Sequence, residues 1–167
     1  MAYLKFGFHE GPTGMGVPKS FYQALDAAGI PFFAKRSDSL PFDAQQIAAT
    51  STVPHTVVYR RSVRPADGST PPSGDPNVPD YSKSPEQAGT EHWAWHKAHF
   101  PAELDPTVTW VEVMNEVDKG RAEWLAGCCY QIAQEALRDG YKVAFFGWSA
   151  GEPEPTDWRG YNMQRLL

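Results

Sequence analysis

A chain of 167 residues with 41% hydrophobic and 21% charged residues is long enough for one domain with its own core, and too apolar to be disordered. Its net charge of −5 excludes the basic footprint that a nucleic-acid binder needs. No stretch approaches the roughly 18 to 20 apolar residues that span a bilayer, and the start, MAYLKFGFHE, has no basic region leading into an apolar run. No signal peptide or membrane association is therefore expected, and a cytoplasmic location is the default.

The first strand is expected over residues 3–9, where Leu4, Phe6 and Phe8 alternate with Lys5, Gly7 and His9. A Gly/Pro-rich loop, 10–16, leads to a helix over 18–28, which Gly29 ends in the left-handed conformation. Strand two is short, 30–35, with a helix over 42–50. Strand three, 56–61, is a β-branched and aromatic run of Thr56, Val57, Val58 and Tyr59. Residues 62–82 hold Pro65, Gly68, Pro71, Pro72, Gly74, Pro76 and Pro79, a long irregular loop of the kind that is usually functional or disordered. Ser84, Pro85 and Gln87 then predict an N-cap, a first-turn proline and a capping box for a helix running to His99.

Strand four, 108–114, is apolar apart from Thr109 and Glu112. Asp118 is placed to cap the next helix, in which Leu125, Cys128, Ile132, Ala136 and Leu137 recur at helical spacing. Arg138, Asp139 and Gly140 end it. Strand five covers 141–147, and a last helix begins near Thr156. Cys128 and Cys129 are neighbours on one helix and imply no disulfide framework.

Strands alternating with helices predict an α/β fold of parallel βαβ units, either an open doubly wound sheet or a barrel. The loop from Gly11 to Gly16 lacks a Walker lysine and no GxGxxG follows strand one, which weakens a nucleotide site. In both architectures function sits at the C-terminal ends of the strands. Those ends carry His9 and Glu10, Lys35 with Arg36 and Asp38, Arg60 and Arg61, Asn115 with Glu116, and Trp148 with Ser149.

The run Trp110-Val111-Glu112-Val113-Met114-Asn115-Glu116 resembles strand four of the (β/α)8-barrel retaining glycosidases grouped as clan A. The resemblance implies that Glu116 is the general acid/base and that Asn115 orients the sugar near its 2-hydroxyl. It implies O-glycosidic bonds of a glycan as the substrate and calls for no cofactor. His9, Glu10, Lys35, Arg60 and Trp148 are the further candidates for substrate binding, Trp148 by stacking on a sugar ring. The bland reading of Glu116 is a carboxylate favoured by a helix N-terminus.

A retaining mechanism needs a second carboxylate about 5 Å from the first. In the family it stands at the end of strand seven, which has no counterpart here. Residues 1–167 are thus expected to form a single but incomplete barrel-like domain of about five strands, open to self-association through its sheet edges. Two other readings stay open. One is a noncatalytic carbohydrate-binding or scaffold module. The other is an unrelated α/β enzyme using His9, Glu10, Lys35 and Arg60 around an anionic small molecule.

No metal site is expected. His92 and His96 share a helix face, but the intervening Trp93-Ala94-Trp95 lacks a metalloprotease glutamate. Trp93, Trp95 and Trp124 are assigned to the core or its shell. Glu112 is expected to point inward, with Lys5 or Arg60 as the partner that a buried carboxylate requires.

Overall fold

The computed structural model describes residues 6–11, 16–145, 147 and 154–167. It is an α/β fold with one five-stranded, all-parallel sheet: β1 (Phe6–Glu10), β2 (Phe32–Ser37), β3 (Thr56–Arg60), β4 (Thr109–Glu112) and β5 (Lys142–Ala144). The helices between and after them are α1 (Lys19–Ala27), α2 (Phe42–Thr50), α3 (Pro85–Ala98), α4 (Ala122–Arg138) and α5 (Tyr161–Leu166). Among the described residues no helix is long and apolar enough to cross a membrane.

Strand order decides between the two expected windings. The strands neighbour one another as β1-β2-β3-β4-β5, with no reversal, whereas a doubly wound sheet needs a switch point. Side chains alternate across a strand, so Val57 and Tyr59 share one face of β3. Val57 packs with Tyr22 and Leu25 of α1 and Ala44 and Ile47 of α2. Tyr59 packs with Trp93 of α3 and Leu125 and Ile132 of α4. All four helices therefore cover the same face, as successive right-handed crossovers require when each strand is added on the same side. This is the winding of a (β/α) barrel. The opposite face carries Lys35, Arg60 and Glu112.

The local signals mostly hold. Gly29 and Gly140 end α1 and α4 at φ of 69° and 84°. Ser84 caps α3 by accepting from the Gln87 N–H at 3.2 Å. The capping box is incomplete, because the Gln87 amide turns forward to Glu91 at 3.0 Å. Asp118 caps a short 3-10 turn, Lys119–Arg121, rather than α4 itself. Strand two starts later than expected, since Pro31 has no N–H for the ladder, and extends through Arg36 and Ser37, which pair with Glu10 and Arg60.

At the amino ends of the strands, His55 fastens four elements. It accepts from the Phe32 N–H at 3.1 Å and donates to Asp26 at 2.9 Å, and Ser51 donates to the same Asp26 carboxylate. At the carboxyl ends, the long loop begins on a second clamp. Asp38, at φ 64°, accepts from the Ser62 N–H at 2.6 Å, the Val63 N–H at 2.9 Å and the Ser62 hydroxyl. Asp38→Ala is expected to cost about 2 kcal/mol, the worth of charge-assisted hydrogen bonds lost with no replacement. It should also expose residues 62–82 to proteolysis. Unchanged cleavage would mean that Ser73 and Asn77 hold the loop without it.

Candidate functional site

Three adjacent strands build a charged cluster on the face away from the helices. Register places Arg60 of β3 beside Glu112 of β4, and Lys35 reaches across from β2. The Lys35 Nζ lies 2.5 Å from Glu112 Oε2, and Arg60 Nη1 lies 3.9 Å from Glu112 Oε1. The side chains of Lys35, Arg60 and Glu112 are 15%, 14% and 7% exposed. Glu112 Oε1 and Arg60 Nε are buried without a hydrogen-bond partner. The expected inward carboxylate is present, and Arg60 is beside it. Lys35 is its close partner, while Lys5 lies outside the described residues.

The β4 exit adds Asn115 and Glu116. Asn115 forms an isolated parallel bridge with Gly147. Its N–H donates to the Asn77 carbonyl at 3.0 Å, and the Glu116 N–H donates to the Gly147 carbonyl at 2.8 Å. A Cβ on Gly147 would stand 2.8 Å from Glu112 Oε1 and 2.9 Å from Asn115 Oδ1. Glycine is needed there because two side-chain oxygens converge on the space that a methyl group would fill. Glu116 is exposed and sits at φ 51°, a left-handed conformation that costs a non-glycine residue about 1–2 kcal/mol. Neighbouring backbone bonds hold it there, which is what any strained backbone position requires.

Glu10 belongs to a different place. It accepts from the Tyr22 hydroxyl at 2.7 Å and the Val17 N–H at 3.1 Å, and pairs with Arg36 at 3.4 Å. Burial, reinforced by the Glu10 carboxylate, pushes the Tyr22 phenol above its ordinary range, so it stays a donor. Gly16, at φ 71°, lets the chain pass, since a Cβ would come within 2.7 Å of Glu10 Oε2. These groups border a cleft of about 110 Å³ that Leu40, Pro41 and Asp43 complete. His9 is exposed on β1. Trp148 and Ser149 lie outside the described residues.

Of the candidates read from the sequence, Lys35, Arg60 and Asn115 thus come together, with Glu116 adjoining. Glu10 does not join them. Glu112 is the residue at the centre, and its signal was one carboxylate at an inward position of an apolar strand.

The histidines of α3 are spent on structure. His92 Nε2 lies 2.6 Å from the Val113 carbonyl and His96 Nε2 lies 2.9 Å from the Pro76 carbonyl. Burial lowers both, His92 to about 4 and His96 well below the ordinary imidazole value. Among the described residues no group of three or more His, Cys, Asp or Glu side chains could hold a metal ion. Trp93 donates to Asp139 at 2.8 Å, Trp95 to Ser69 at 3.0 Å and Trp124 to the Lys83 carbonyl at 3.3 Å, which are packing roles. Cys128 and Cys129 are buried and free, and burial pushes the Cys128 thiol up to about 12, so neither is a nucleophile.

No known protein family, curated protein or solved structure matches this chain.

Proposed function

We propose that this chain presents the acid half of a glycoside-cleaving site, with Glu116 as general acid/base and Asn115 as the sugar-orienting residue. The observation that carries the reading is the backbone at the β4 exit. Glu116 is held left-handed at φ 51°, while Asn115 is tied to β5 at Gly147 and to the long loop at Asn77. Strain kept at one exposed carboxylate by flanking hydrogen bonds suits a positioned functional group better than a surface residue.

In the reaction, the Glu116 carboxyl donates its proton to the glycosidic oxygen as the bond to the anomeric carbon breaks. Asn115 offers a carboxamide to a hydroxyl of the same sugar. The second carboxylate of a retaining reaction, about 5 Å from the first, is assigned to none of the described residues. The reaction goes to completion only where residues outside the described ones or a second copy supply it. A second copy has a surface to use: the edge of β5 that pairs with no further strand among the described residues adjoins an apolar cleft of about 410 Å³, where Trp110, Leu137 and Leu167 are exposed.

Glu116→Gln is expected to lower hydrolysis of a glycoside with a poor leaving group by at least about 100-fold, the usual worth of acid catalysis. Circular dichroism should be unchanged. Equal turnover by the variant would remove Glu116 from the reaction. The exposure of Glu116 favours a second reading, a carbohydrate-binding module without catalysis, because the described residues build no desolvated pocket around it. Wild type that binds a glycan without cleaving it, matched by Glu116→Gln, would establish that reading instead.

A further inference from the structure

Among the described residues, the face that bears Asn115 and Glu112 sets two cations against one buried carboxylate. Lys35 and Arg60 approach a single carboxylate. Lys35 holds Glu112 Oε2 at 2.5 Å, whereas Arg60 stays 3.9 Å from Oε1, beyond hydrogen-bond reach, with its Nε buried and unpartnered. Once Lys35 and Glu112 cancel, the guanidinium is left over, on a side chain only 14% exposed. Charges at that depth are ordinarily paired and hydrogen-bonded. A guanidinium fork is shaped for two oxygens of one carboxylate.

The surroundings narrow the ligand further. Glu112 Oε1 is buried without a donor, and Asn115 Oδ1 converges with it at Gly147. Acceptor oxygens need hydroxyl donors, and a multiply charged anion such as phosphate would be repelled by Glu112. The fitting ligand therefore bears one carboxylate and several hydroxyls. We propose that Arg60 receives the carboxylate of a uronic acid residue, with Glu112 and Asn115 accepting from its hydroxyls, so that the glycan is an acidic one. This rests on the glycan reading above and specifies its substrate class.

The test is calorimetric titration of the whole chain with D-glucuronate and D-galacturonate, each against its neutral hexose, D-glucose or D-galactose, and against acetate. At least one uronate should bind about tenfold or more tighter than its hexose, as charge-assisted hydrogen bonds imply. Arg60→Met should abolish that preference with little loss of melting temperature, because the variant keeps the neutral Lys35–Glu112 pair. Arg60→Lys keeps the charge but not the fork, and should retain only part of the preference. It carries the test if Arg60→Met does not fold. Equal binding of uronate and hexose, or a preference that survives Arg60→Met, overturns the acidic-sugar proposal and leaves the glycan reading standing. Acetate binding as tightly as the uronates overturns the acidic-sugar proposal and leaves the glycan reading to the Glu116→Gln hydrolysis measurement. Absence of binding by any of these sugars overturns the proposal, and the Glu116→Gln hydrolysis measurement then decides the glycan reading separately.

Discussion

Glu112→Ala is expected to destabilise the fold by about 3–5 kcal/mol, the cost of leaving buried charge without its counter-ion. The carboxylate is the only acidic partner that Lys35 and Arg60 have among the described residues, and the three side chains are at most 15% exposed. Its removal leaves two cations facing each other in a poorly solvated place. The other two positions should behave differently. Lys35→Met leaves Glu112 with Arg60, which is already 3.9 Å away, so part of the attraction survives. Arg60→Met leaves a neutral pair and should cost least. Urea unfolding of the three variants therefore predicts an order of loss, Glu112 first, Lys35 second and Arg60 last. A loss at Glu112→Ala below about 1 kcal/mol would place the pair among the weak, hydrated ion pairs of protein surfaces and remove the buried-charge argument.

Acid should weaken the protein well before its carboxylates are titrated. His92 has a folded value of about 4, set chiefly by burial, against an unfolded value near 6.5. Below pH 6.5 the unfolded chain takes up the proton that the folded chain refuses, so stability rises with pH between these values. The contribution is complete above pH 6.5. It falls by at most about 1.4 kcal/mol per pH unit and amounts to about 3 kcal/mol lost by pH 4 for His92 alone. His96 shifts in the same direction, through burial first and then the charges of His92, Arg61 and His99.

The loss also reaches the candidate site. His96 holds the Pro76 carbonyl, and the next residue, Asn77, accepts from the Asn115 N–H. Urea unfolding from pH 4 to 8 should show the steep segment in wild type and a shallower one in His92→Gln, whose amide can still donate to the Val113 carbonyl. Parallel slopes in the two proteins would assign the acid sensitivity to other groups. Asp26, Asp80, Asp105 and Asp139 are held below the ordinary carboxylate range mainly by hydrogen bonds, so their losses come at lower pH.

The alternation of strand and helix was legible because it rests on local rules. Thr56–Arg60 holds a β-branched and aromatic run, apolar residues recur at helical spacing in Ala122–Arg138, and Gly29 and Gly140 mark the stops. The polar carboxyl ends of the strands were legible for the same reason, since loops that follow strands carry polar residues wherever they lie. What was read wrongly was also local but competitive. Gln87 had two partners within reach, the helix start behind it and Glu91 ahead, and the second prevailed.

Which strands neighbour one another, and hence which charges meet, is not a local property. His9, Glu10, Lys35 and Arg60 look equivalent as strand-end residues. Glu10 is drawn aside by the Tyr22 hydroxyl, contributed by α1, and by Arg36. Lys35 and Arg60 meet Glu112 only because β2, β3 and β4 lie side by side in parallel register. The sequence by itself determined the βα repeat, its stops and the inward place of Glu112, because periodicity and backbone preference act within a few residues. Only the tertiary structure decided that the helices share one face and that one carboxylate answers to two cations. Both depend on the order in which distant strands pack, and no short stretch of the chain encodes that order.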